Sequence, residues 1–220
     1  MKFEMQKRII TSFFLLTLLF LMHTYSYILF ISLIIIAMIS WIEFYALISK
    51  IFLKENLIQR TLRFIYKSMS LVFLSSLVFL ILFIESKKPE LRIAITYSLS
   101  IAIISDIGGL IFGKIFKGRK LTKISPKKTV SGSVGSFALS TMLVPFFIYY
   151  NSSYSLDSLI LITLIISFTS QIGDLFFSFL KRKASVKDTG DLLPGHGGFL
   201  DRIDGIIFAI PVGIFLFSLI

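Results

Sequence analysis

The apolar positions of this 220-residue chain fall in long unbroken blocks, not in the alternating or one-faced patterns of soluble elements. Seven blocks stand out, at 9–21, 25–48, 68–84, 91–112, 133–150, 156–180 and 203–220. A helix needs roughly 20 largely apolar residues to cross the hydrocarbon of a bilayer. In lipid its backbone must also bond itself, which a helix does. The pattern therefore predicts an all-α, polytopic transmembrane helical bundle of about seven spans. So little is left over that 1–220 reads as a single integral membrane domain. Block 9–21 is short, and the break at His23-Thr24 is compatible with either a loop or a kink. The opening MKFEMQKR resembles a secretory leader, but no small-x-small cleavage site follows, so the first block is read as an uncleaved helix.

Composition agrees: hydrophobic residues make up 55% and the mean hydropathy is +0.88, against about 45–50% apolar residues in soluble domains. Cysteine is absent, which excludes disulfides, thiolate metal sites and thiol nucleophiles. The net charge of +11 would suggest nucleic acid in a soluble protein. Here its placement changes the reading. Of 23 basic residues, all but Lys87, Lys88 and Arg92 lie at the N-terminus or in alternate connections. With the N-terminus inside, that is the positive-inside asymmetry. It predicts a cytoplasmic N-terminus, contact with anionic lipid and no nucleic-acid partner.

Topology accounts for the first basic clusters but not for the later ones. Residues 1–100 hold plain apolar spans, with Glu43 as a lone intramembrane carboxylate whose partner is not visible in the sequence. Trp41 and the tyrosines read as interfacial anchors. Residues 101–220 hold the chemistry. Asp106 lies in AIISDIGGLIFGK, Asp174 in SFTSQIGDLFFSF, and Asp201 and Asp204 open the last block. A charge near mid-bilayer costs about 2.5–3.5 kcal/mol on insertion scales, so several together call for compensation. Asp201/Asp204 and Gln171/Asp174 are each spaced i, i+3, on one helical face. Clustered carboxylates with only two histidines and no cysteine favour a hard ion, and Mg²⁺ is the natural choice. Each aspartate alone is equally well read as a helix cap or ion-pair partner.

The basic loops give that ion a purpose. KISPKKT places Ser125, Lys127, Lys128 and Thr129 at the same membrane face as the aspartates. LKRKASVKD brings Lys181, Arg182, Lys187 and Asp188, and Arg202 follows between the last two aspartates. A nucleoside triphosphate with Mg²⁺ requires carboxylates for the metal and cations for the remaining phosphate charge. Gly195, Gly197 and Gly198, flanking His196 in PGHGGF, would let backbone approach a phosphate. No GxxxxGK[ST] is present. Gly109 and Gly113 form a small-xxx-small helix contact. Ser125-Pro126 and Pro194-Gly195 mark turns.

From Ser178 to Asp204, the pattern S-F-L-K-R-x4-K-D-x-G-x2-L-P-G-H-G-G-F-x-D-R-I-D resembles the signature of phosphatidate cytidylyltransferases. SDIGGLIFGK, KISPKKT with Gly132 and Gly135, and Gln171-x-Gly-Asp174 precede it in the family's order. The resemblance implies transfer of CMP from CTP to phosphatidate, with pyrophosphate released, in a bacterial inner membrane with the site on the cytoplasmic side. It also implies Mg²⁺ held by Asp174, Asp201 and Asp204, a monovalent cation such as K⁺ beside it, and a homodimer. Val130 and Ser131 depart from the family's usual aromatic and glutamate.

Two other readings of the residues stay open at this point. Another CTP-dependent membrane lipid cytidylyltransferase or a polyprenol kinase would use the same groups. A cation transporter would use Asp106 and Asp174, although transporters commonly carry repeats in both halves, and no repeat is visible here.

Overall fold

The computed structural model describes residues 2–53, 56–151, 154–195 and 197–220. Among them the regular structure is helical: α1 (Lys2–Thr24), α2 (Ser26–Ile51), α3 (Leu57–Lys87), a 3₁₀ turn (Pro89–Leu91), α4 (Arg92–Phe116), α5 (Val130–Thr141), α6 (Leu143–Tyr150), α7 (Leu156–Lys183), α8 (Leu200–Ile203) and α9 (Ile206–Phe217). Five stretches are long and apolar enough to cross a membrane: Ser26–Ile51, Leu57–Lys87, Pro89–Phe116, Val130–Tyr150 and Leu156–Lys183. Ile9–Thr24 is a shorter apolar helix. The break expected near His23-Thr24 is present, because Tyr25 is extended between α1 and α2.

Two expected blocks are interrupted. Block 133–150 pauses at Met142, between α5 and α6. Pro145 has no N–H to give the carbonyl of Thr141, four residues back, so the helical ladder lapses there. The last block is divided at Asp204 and Gly205, leaving a four-residue α8 and a twelve-residue α9 with Pro211 inside it. Asp201 and Asp204 therefore do not share one continuous helix, as their spacing had suggested.

The chain forms two compact units, each built from separated segments: Met1–Lys87 with Leu180–Arg202, and Lys88–Phe179 with Ile203–Ile220. In the first, α2 packs on α1 and on α3, burying Leu47, Ile48, Leu74, Ile81 and Ile84. Trp41, expected as an interfacial anchor, also links helices, since its Nε1 donates to the carbonyl of Lys67 at 3.3 Å. The Lys67 ammonium sits 3.2 Å over the Tyr45 ring.

The second unit is built on backbone proximity. Gly109 and Gly113 of α4 face Gly132 of α5, and Gly108 faces Gly135. A Cβ on Gly108 would lie 2.6 Å from the carbonyl of Gly135, and one on Gly135 would run into Phe112. The small-xxx-small expectation thus extends to both helices. Hydroxyls join them further: Ser136 donates to the Ser105 carbonyl at 2.6 Å, and Ser105 meets Ser167 of α7 at 2.9 Å. In lipid such bonds hold helices where the hydrophobic effect gives no preference.

Candidate functional site

The second unit gathers one set of the polar residues. After α4, the segment 119–130 doubles back on itself: Leu121 N–H bonds the Lys128 carbonyl at 2.8 Å, and Val130 N–H bonds that of Arg119 at 2.9 Å. Its tip is a β-turn with Pro126 second, closed by Lys128 N–H to the Ser125 carbonyl at 3.0 Å. Thr129 then caps α5, its Oγ1 accepting from Gly132 N–H at 3.1 Å. The loop is held at both ends, and Lys127 is exposed at its tip.

This loop meets α7. Lys128 forms an ion pair with Asp174. One turn earlier on the same face, Gln171 Oε1 accepts from Ser133 at 2.5 Å. The i, i+3 spacing of Gln171 and Asp174 therefore does what the sequence predicted, turning both toward the start of α5. Asp174 also accepts from Ser178 at 3.4 Å. Gly173, beside it, lies against the turn between α8 and α9: a Cβ there would sit 2.7 Å from the Asp204 carbonyl and 3.2 Å from Gly205 Cα. Gly205 in turn faces Ser170. Small residues on both strands of chain hold Asp174 and Asp204 on adjoining turns, and Asp204 is buried. Asp106 lies exposed on α4, next to Ser105.

Ser131 is one of the two residues that depart from the resembled pattern. Its Oγ accepts from Gly118 N–H at 3.2 Å and pairs with Thr129 Oγ1 at 3.1 Å. It ties the end of α4 to the start of α5.

In the first unit the signature segment closes on itself. α7 ends with Ser185 left-handed (φ 55°), with Ser185 N–H bonding Arg182 and Val186 N–H bonding Lys181. That is a Schellman end built on serine. Arg182, Lys187 and Asp188 are exposed. Leu193 and Gly197 bridge the Pro194-Gly195 turn, Leu193 N–H bonding Gly197 at 2.9 Å. Gly195 (φ 76°) and Gly197 (φ 82°) take the conformation that glycine permits. His196 lies outside the described residues.

Asp201 is the hub of this fold-back. Its Oδ1 takes Lys181 Nζ at 2.6 Å. Its Oδ2 accepts from Thr189 N–H (2.8 Å), Thr189 Oγ1 (3.0 Å) and Gly198 N–H (3.0 Å). Read from sequence as a third metal ligand, it has both oxygens accepting from protein donors, as Asp174 has from Lys128 and Ser178. Gly198, read as a glycine for phosphate, is crowded by Thr189 and Glu43. Arg202 is exposed on α8.

Glu43 is the residue whose partners the sequence concealed. Buried in α2, it accepts from Thr189 Oγ1 at 2.9 Å, Phe199 N–H at 2.9 Å and Leu200 N–H at 2.8 Å. Its position within an apolar span was the only signal.

A magnesium ion commonly takes one or two carboxylates and completes its shell with water and substrate phosphates. Asp174 and Asp204, on adjoining turns of one unit, are two carboxylates of that type, and Asp174 is also ion-paired with Lys128. Among the described residues no group of three or more acidic or histidine side chains forms a ready cage.

A model of the cytidylyltransferase family matches residues 1–220. The chain is 40% identical over 141 residues to a phosphatidate cytidylyltransferase of Rickettsia typhi, covering 60% of this chain and 61% of that one. It is 42% identical over 123 residues to one of Staphylococcus haemolyticus (54% and 46%) and 45% identical over 119 residues to one of Rickettsia felis (50% and 52%). The chain thus spans about half to three-fifths of the length of these relatives.

Proposed function

The chain belongs to the cytidylyltransferase family, and we propose that it transfers the cytidylyl group of CTP to phosphatidate, forming CDP-diacylglycerol and pyrophosphate. The observation that carries this reading is the meeting of the KISPKKT loop with α7, Lys128 on Asp174, beside a backbone contact that brings in Asp204. An acid and a base stand together at the end of apolar helices, as a charged nucleotide at a lipid surface requires.

The chemistry asks little of a base. A phosphate monoester has its second pKa near 6, so phosphatidate is largely dianionic at neutral pH. One of its oxygens attacks the α-phosphorus of CTP, and the bond from that phosphorus to the bridging oxygen of pyrophosphate breaks. The protein's task is to bring two anions together and neutralise the leaving group. Lys127 and Lys128 supply positive charge at the turn, and Thr129 and Gly132 hold that turn on α5. On the family signature, Asp174, Asp201 and Asp204 would hold the Mg²⁺, which supplies a cation for the phosphate oxygens when bound. A K⁺ site, a homodimer, an inner-membrane location and a cytoplasmic-facing site belong to the same reading. They rest on the family signature and on the placement of basic residues. His196 would serve as a phosphate donor rather than a base. Arg182, Lys187 and Arg202, exposed on the signature segment, are assigned to phosphate charge on the same ground.

Purified protein with Mg²⁺, phosphatidate and CTP labelled in the cytosine ring is expected to yield labelled lipid. Label passing to lipid only from the γ-phosphate would replace the reading with a lipid kinase.

A further inference from the structure

We infer that Glu43 is a positioning residue for the signature segment, acting through Thr189 on Asp201; the kinetic half of this inference rests on the transferase reading above. Glu43 lies in the second half of α2, in a stretch whose other residues are almost all apolar. A carboxylate there is retained only if something compensates it. The compensation is supplied by chain 146 and more residues away: two consecutive N–H groups, Phe199 and Leu200, and the Thr189 hydroxyl.

The arrangement explains three residues of the signature. Thr189 sits between two carboxylates, its hydroxyl within reach of both Glu43 (2.9 Å) and Asp201 (3.0 Å), while its N–H bonds Asp201. Gly190 and Gly198 make room for Glu43: a Cβ on Gly190 would lie 2.9 Å from Oε1, and one on Gly198 2.6 Å from Oε2. Threonine and the two glycines are thus fitted to a side chain that the signature itself does not contain.

Two N–H groups and the Thr189 hydroxyl, whose single proton serves either Glu43 or Asp201, converge on Glu43, and a carboxylate has an acceptor for each of them. Glutamine has one acceptor oxygen and would aim its NH₂ at an N–H or hydroxyl donor. Charge, rather than size, is what the position requires. Loss of it frees the start of α8, and with it the backbone that carries Asp201.

The test uses the full chain in detergent and compares wild type with Glu43→Gln, Glu43→Asp, Thr189→Val and the Glu43→Gln/Thr189→Val double variant. Glu43→Gln is expected to lower kcat for cytosine-label transfer about 100-fold, the scale of a small misplacement of reacting groups, with KM for CTP nearly unchanged. Amide hydrogen exchange in 189–201 should accelerate while that of α4 and α5 stays at the wild-type rate. Glu43→Asp should recover part of kcat. The double variant should be no slower than Glu43→Gln alone, because both act on one unit. Wild-type exchange and kcat in Glu43→Gln, or additive losses in the double variant, would overturn the inference. If wild type transfers no label, the transferase reading fails and the exchange measurement alone decides the role of Glu43. If Glu43→Gln does not fold, Thr189→Val carries the test, with faster exchange at 198–201 expected and unchanged exchange overturning it.

Discussion

The carbonyl oxygen of Asp204 occupies the space that a side chain on Gly173 would need, 2.7 Å from the position of its Cβ. The neighbour is backbone and cannot swing aside, so Gly173→Ala must push the turn at Asp204 off α7. Overpacking of this kind costs about 1–3 kcal/mol. Thermal melting in detergent should fall by several degrees, and activity should fall further than stability, because Asp174 and Asp204 separate. Gly118→Ala is the contrast, since a Cβ there meets the Ser131 side chain first, and it should be close to wild type in both measurements.

Lys181 and Asp201 are 11% and 5% exposed and 2.6 Å apart. Removing one member of such a pair leaves a buried charge without its partner, at a cost of about 3–5 kcal/mol. Lys181→Met is therefore expected to melt well below wild type. Lys181→Met/Asp201→Asn, which removes both charges, should recover a large part of that loss. Melting of the four proteins of the cycle reads the coupling directly; additive losses would show that the pair is not a unit.

Asp204→Asn preserves shape at a buried position and removes the charge. Turnover should fall by at least about 100-fold, in the range of a lost electrostatic contribution to phosphoryl-type transfer, with melting nearly unchanged. Asp174→Asn should raise the Mg²⁺ concentration needed for half-maximal activity. An Asp204→Asn protein with wild-type turnover would remove this aspartate from the proposed metal site.

The chain contains no cysteine, so single introduced thiols report sidedness without background. Lys123→Cys, exposed in the 119–130 loop, should be labelled from the cytoplasmic side. Ser155→Cys, exposed before α7, should be labelled from the opposite side. Labelling of both from one side would contradict a single crossing by α5 and α6 together.

The sequence by itself determined the helical class, the position of each apolar block, the turns at Ser125-Pro126 and Pro194-Gly195, and the pairing of Gln171 with Asp174 on one face. These depend on local periodicity and backbone stereochemistry, which neighbouring residues set. It also marked the residues that carry charge into the membrane. What Asp201 and Glu43 bond to was decided by tertiary structure alone, because Glu43 meets Thr189, Phe199 and Leu200 across more than a hundred residues of intervening chain. The same holds for the helix break at Asp204, where the carbonyl is packed against Gly173 of α7. A pattern along the chain records that a buried carboxylate must be compensated; only the folded chain shows which N–H groups arrive to do it.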